Sequence, residues 1–113
     1  MPAWFLRGLR RGVVTTRYPD RPDPSAADLP TPPRFRAGQL TAGVAGRLVE
    51  VCPSRALWRE DDVLVFDAGA CTGCGRCERA APEAVTASGE FELAVTARDH
   101  LIKRIPLPRQ PRP

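Results

Sequence analysis

The sequence predicts a small α+β domain carrying an extended arm at each end, and three observations predict it. Two short apolar alternations read as β-hairpins, each follows a cysteine-bearing segment, and prolines crowd both flanks. With 13 prolines and 9 glycines among 113 residues, few positions remain for a large packed core. A chain of this kind needs a staple, and its four cysteines offer disulfides or a metal site.

The elements follow in chain order. Residues 1–17 form a basic amphipathic helix, in which Trp4, Phe5, Leu9 and Val13 stand apart from Arg7, Arg10 and Arg11. Residues 18–38 form a proline-rich extended arm, because Pro19, Pro22, Pro24, Pro30, Pro32 and Pro33 block helix and sheet alike. Residues 39–97 are the folded part. Within them Ala56 to Phe66 is a hairpin turning at Glu60-Asp61-Asp62, and Ala84 to Val95 is a second one turning at Ser88-Gly89. Residues 98–113 are a basic, proline-rich tail, either disordered or in contact with a partner.

Charge follows the same division. Residues 1–36 carry seven arginines against three aspartates, residues 37–97 five arginines against nine acids, and residues 98–113 five basic residues against Asp99. The segments are +4, −4 and +4, so basic arms flank an acidic centre. Such arms suit an acidic protein surface, anionic lipid or nucleic acid. The longest apolar runs, such as Val63-Leu64-Val65-Phe66, are far short of the roughly 20 residues of a spanning helix. Arg10-Arg11 is followed by no hydrophobic stretch, so no secretory or twin-arginine signal is expected and the chain reads as cytoplasmic. In that compartment thiols stay reduced, and clustered cysteines point to metal or redox chemistry.

Cys71-Thr72-Gly73-Cys74-Gly75-Arg76-Cys77 is a C-x2-C-x2-C run, whose three thiolates converge on three corners of one cubane. Gly73 and Gly75 let the backbone curl and aim amides at sulfur. Zinc sites more often use two separated pairs of ligands, so three cysteines in one loop favour iron and sulfide. In the two-cluster ferredoxin run, C-x2-C-x2-C-x3-C-P, the fourth cysteine serves the other cluster. Here that fourth position is Ala81, followed by Pro82, whereas upstream Cys52-Pro53 keeps the fourth-position form. Counting back from Cys52 by the same spacing gives Ala42, Ala45 and Leu48. Under crossed ligation one site, at 42, 45, 48 and 81, has lost all four ligands. The other, Cys52, Cys71, Cys74 and Cys77, has kept all four. The expected fold is thus a bacterial-ferredoxin-like domain of two hairpins and short helices around one [4Fe-4S] cluster. The vacated site is expected to close as apolar core, with Trp58 filling volume.

The Trp4-to-Tyr18 opening with Val13-Val14-Thr15-Thr16-Arg17-Tyr18-Pro19, the Cys52-Pro53-Ser54-Arg55-Ala56-Leu57 stretch, the Cys71 run and Phe91-Glu92-Leu93-Ala94 resemble a known family. It is the polyferredoxin subunit of membrane-bound hydrogenase and formate hydrogenlyase complexes, itself similar to chain I of NADH:quinone oxidoreductase. The resemblance extends to about residue 97. It implies an electron-transfer subunit among other subunits of a membrane-bound oxidoreductase, peripheral on the inner face of the cell membrane, with residues 1–17 against protein or lipid. Family members normally carry two clusters; positions 42, 45, 48 and 81 depart from that pattern.

Arg55, Arg76 and Arg79 lie beside ligands in sequence and either raise the cluster potential or are solvated surface charges. His100, the single histidine, lies 23 residues beyond Cys77 and reads as solvated rather than as a zinc ligand. No phosphate loop, nucleophile elbow or catalytic carboxylate pair marks an enzyme in its own right. Three readings are weighed. An electron-transfer subunit leads. The alternative is an assembly or structural subunit stapled by iron-sulfur or zinc, and a nucleic-acid-binding zinc module is opposed by the acidic centre and the lack of interleaved aromatics.

Overall fold

The hairpin predicted at Ala56 to Phe66 forms, as strands β2 (Leu57–Glu60) and β3 (Val63–Asp67) around a turn in which Asp61 takes φ 50°. Aspartate enters this left-handed region more readily than most residues, which suits the acidic turn. The computed structural model describes residues 2–12, 15 and 17–109, a small α+β protein of short helices and strands.

Ahead of the hairpin, Thr41 caps helix α2 (Ala42–Val51) by accepting the Val44 N–H at 3.2 Å. Val44, Ala45 and Leu48 form its buried stripe, and the helix ends at Cys52, where Pro53 forbids another helical turn. After the hairpin comes α3 (Arg76–Ala80), a single short helix entered through left-handed Gly75 and followed by Pro82. The two helices are linked by Arg47, whose Nη1 donates to the Ala80 carbonyl at 3.4 Å while Nη2 pairs with Glu83, just past α3, at 3.2 Å. Leu40, Leu48, Leu64, Phe66 and Val85 are the large side chains sealed in the shared core.

The second hairpin does not form as expected. Only Val85–Ala87 is a strand, β4, and it pairs antiparallel with β1 (Pro33–Phe35) rather than with residues 89–95. Ser88 and Gly89 do not turn back; their N–H groups donate to Pro32 O and Thr31 Oγ1. Burial decides the pairing, because β1 brings Phe35 onto Phe66, with ring centroids 5.2 Å apart. The proline-rich arm therefore ends near residue 30, not 38. Pro33 is tolerated because it occupies the first position of a strand in a two-stranded sheet.

The predicted tail is likewise part of the fold. A 3-10 turn, Arg98–Leu101, leads into β5 (Ile102–Pro106), which pairs with β3 to complete the order β2-β3-β5. Ile105 lies opposite Leu64 and packs on the core, and Leu107 is buried beyond it. The strip Leu101-Ile102-Lys103-Arg104-Ile105 carries this strand signal, which the flanking prolines and basic residues obscure. Residues 110–113 lie outside the described residues.

Helix α1 (Ala3–Arg11) closes with Gly12 at φ 63° and buries none of its residues. Trp4 and Leu9 are 72% and 67% exposed. Residues 1, 13, 14 and 16 of the expected basic helix lie outside the described residues. No helix among the described residues is long and apolar enough to cross a membrane.

Removing residues 1–29 should leave a cooperative thermal melt by circular dichroism, whereas removing residues 1–36 takes β1 and Phe35 and should abolish or sharply lower it. Leu48→Ala should cost about 2–5 kcal/mol in chemical denaturation, because Leu48 is sealed in the core.

Candidate metal centre

Cys52 stands at the C-terminal end of α2, where the chain leaves the helix and turns through Pro53-Ser54-Arg55. Arg55 adopts φ 55°, and the turn carries the Ala56 N–H back to donate to Cys52 Sγ at 3.3 Å. Ser54 Oγ stands 3.7 Å from the same sulfur. The turn thus directs two polar groups at one thiol.

The other three cysteines follow β3, Cys71 and Cys74 in the loop and Cys77 in α3. The Gly73 N–H donates to Cys71 Sγ at 3.4 Å, a geometry reached with Gly73 at φ 69°. Space is tight at this glycine as well, since a Cβ there would lie 3.0 Å from Pro30 Cβ. Gly75, at φ 73°, then turns the chain into α3, which sets Cys77 in its first turn. Arg79 Nη2 reaches back to the Cys74 carbonyl at 3.4 Å and braces the loop.

All four sequence-predicted cysteines line one cavity that is partly open to solvent. Cys74 is exposed and the other three are half-buried, and all four are free thiols. Thr31, just ahead of β1, and Pro33, at its start, also wall the cavity, together with Ala56, Leu57 and Phe66. Nothing in the proline-rich stretch marks Thr31 or Pro33 as site residues, because their role comes from the β1–β4 pairing. Arg76 lines the cavity too, whereas exposed His100 lies on a different groove, beside Leu101 and Lys103.

The positions vacated under crossed ligation sit elsewhere. Ala45, Leu48 and Ala81 are fully buried in the apolar core, and Ala42 is half-buried at the start of α2. Trp58 does not fill that volume. Alternation along β2 turns Leu57 into the core and Trp58 to the opposite face, across from Val65, where its Nε1 donates to Glu60 at 3.0 Å.

Four soft sulfur donors around a cavity, with backbone N–H groups directed at two of them, fit a [4Fe-4S] cluster. Cys52, Cys71, Cys74 and Cys77 are the residues that would hold it. Among the described residues no group of three or more His, Cys, Asp or Glu side chains is arranged to hold a metal ion. No protein-family model matches this sequence, and no curated protein is significantly similar to it.

Burial pushes the Cys71 and Cys77 thiols up from their ordinary 9.0. The Gly73 and Glu78 amides oppose the rise, and charge on neighbouring cysteines adds to it. At pH 7 both are held as thiols, and only a thiolate attacks an alkylating agent. In metal-free protein at pH 7 iodoacetamide should label exposed Cys74 before Cys71 and Cys77, whose own labelling should climb once the pH rises past 9.0. Timed mass spectrometry checks this, and equal labelling at pH 7 would mean that the cavity stands open.

Proposed function

We propose that this chain is an electron-transfer subunit carrying one [4Fe-4S] cluster on Cys52, Cys71, Cys74 and Cys77, in a bacterial-ferredoxin-like domain that has given up a second site. The observation that carries the proposal is the sorting of two ligand sets. One set of four positions lines a common cavity as cysteines, and three members of the other are fully buried apolar core.

A bound [4Fe-4S] cluster accepts and releases one electron at a time. The chain supplies everything around that exchange. Cys52, presented from the end of α2, and the Cys71–Cys77 loop hold the ligand sulfurs apart, while the Ala56 and Gly73 amides supply hydrogen bonds that stabilise negative charge on sulfur. Leu57, Phe66 and Pro33 exclude water on the inner side, and exposed Cys74 marks the side nearest to a donor or acceptor. No side chain is required to act as acid or base.

The setting proposed is a membrane-bound hydrogenase-like or NADH:quinone oxidoreductase-like complex, at the cytoplasmic face. Support comes from the resemblance carried by the N-terminal and cysteine segments, and from α1. That helix exposes Trp4, Leu6 and Leu9 beside Arg7, Arg10 and Arg11, a composition suited to a partner groove or an anionic membrane surface.

Anaerobically prepared protein should contain four irons and four sulfides per chain, no stoichiometric zinc, and one paramagnetic centre after dithionite reduction. Cys52→Ala should remove that centre or lower the iron below four. Stoichiometric zinc without iron would overturn the electron-transfer reading, and an intact centre in Cys52→Ala would overturn the crossed ligand set.

A further inference from the structure

Two ion pairs fasten the C-terminal segment to the central hairpin, and they differ in kind. Arg104 pairs with Glu60 beside the Asp61-Asp62 turn of the hairpin, where both side chains are well exposed. Arg98 Nη2 reaches Asp67 Oδ2 at 2.7 Å, and the Asp67 side chain is only 9% exposed. A carboxylate so enclosed is costly unless its oxygens find donors. Asp67 finds two, because its Oδ1 accepts the Gly69 N–H at 2.8 Å.

These contacts converge on residues 67–70, the turn that delivers the chain into Cys71. The Ala70 N–H donates to the Asp67 carbonyl at 3.2 Å, and the Ala68 N–H donates to Leu101 O at 2.9 Å, one residue ahead of β5. A Cβ on Gly69 would collide with the Arg98 guanidinium and come within 3.1 Å of Asp67 Oδ1. The guanidinium therefore lies directly on the turn, and glycine is the residue that leaves room for it.

We infer that Asp67 and Arg98 form a latch that fixes the position of Cys71 by clamping the 67–70 turn, so that a residue near the C-terminus positions a ligand of the metal centre. Neither residue touches a ligand sulfur; both are positioning residues. The inference rests on the reading of the four cysteines as cluster ligands. Arg104–Glu60 is the matched control, an ion pair from the same segment to the same hairpin but remote from the ligand loop.

The test uses full-length protein whose iron, sulfide and zinc content has first been measured. Arg98→Ala should speed iron release to a ferrous chelator about tenfold, the scale on which supporting contacts act on metal sites. Arg104→Ala should change it by less than about threefold, as suits an exposed ion pair, and Arg98→Lys should recover most of the loss. Gly69→Ala, which displaces the guanidinium, should behave as Arg98→Ala does. In metal-free protein Arg98→Ala should raise the alkylation rate of Cys71 and leave that of Cys52 unchanged. Equal acceleration by Arg98→Ala and Arg104→Ala would overturn the latch, because the segment would then act only by holding β5 in place. Unchanged alkylation of Cys71 in both Arg98→Ala and Gly69→Ala would also overturn it. If the unsubstituted protein binds no iron, the cluster reading fails by itself and the alkylation measurements still decide the latch.

Discussion

The pairing of β3 on both of its edges is the constraint on which the rest of this small structure depends. Val63–Asp67 bonds to β2 on one side and β5 on the other, sends Leu64 and Phe66 into the core, and ends where the ligand loop begins. A lone hairpin is marginal in water, and the third strand converts it into a platform. From that platform Phe66 holds the arm through Phe35, and Asp67 holds the turn ahead of Cys71. Cys52 reaches the same cavity from the other direction, at the end of a helix whose buried stripe packs in the core with Leu64 and Phe66. The four-cysteine cavity thus sits at the junction of the hairpin and α2, which explains how so short a chain brings four thiols together.

The two halves of the core show what one spacing does with different residues. Cysteines at 71, 74 and 77, with glycines between them, belong to a loop that leaves only five residues of helix before Ala81. Alanine, alanine and leucine at 42, 45 and 48 lie in a helix of ten residues that runs unbroken to Cys52. Positions three apart lie near one face of a helix, so once sulfur is absent the same interval serves apolar packing. Ala45 and Leu48 are accordingly sealed against Leu64, Phe66 and Ala81 in one cluster.

Much of this was legible in the sequence. The Cys71 run, the Cys52-Pro53 pair and the Asp61-Asp62 turn announce themselves because each depends on local chemistry: a fixed ligand interval, a proline that ends a helix, residues that accept a tight turn. The errors share a cause. Phe91-Glu92-Leu93-Ala94-Val95 alternates like a strand and stays unpaired, with Phe91 and Leu93 exposed, while Pro33-Arg34-Phe35 hardly alternates and forms β1. Pairing over such separations is decided by which side chain reaches the core, and local propensity is overridden. Residues 98–107 were obscured in the same way, since their strand signal lies among basic residues and prolines and has meaning only against β3. Thr31 and Pro33 reach the cavity solely through contacts far along the chain, which no local pattern records.

The shape of the molecule carries a mechanical consequence. It measures 80 × 29 × 25 Å, long for so few residues, because α1 stands clear of the core at the far end of a proline-rich arm. A glycine-rich tether would let the two ends wander through a sphere of positions, whereas a proline-rich one behaves as a semi-rigid spacer. The proline-rich stretch from residue 18 to residue 30 is thus a bracket to the cavity's lamp, stiff where glycine would swing, and Thr31 and Pro33 carry it straight into the cavity wall.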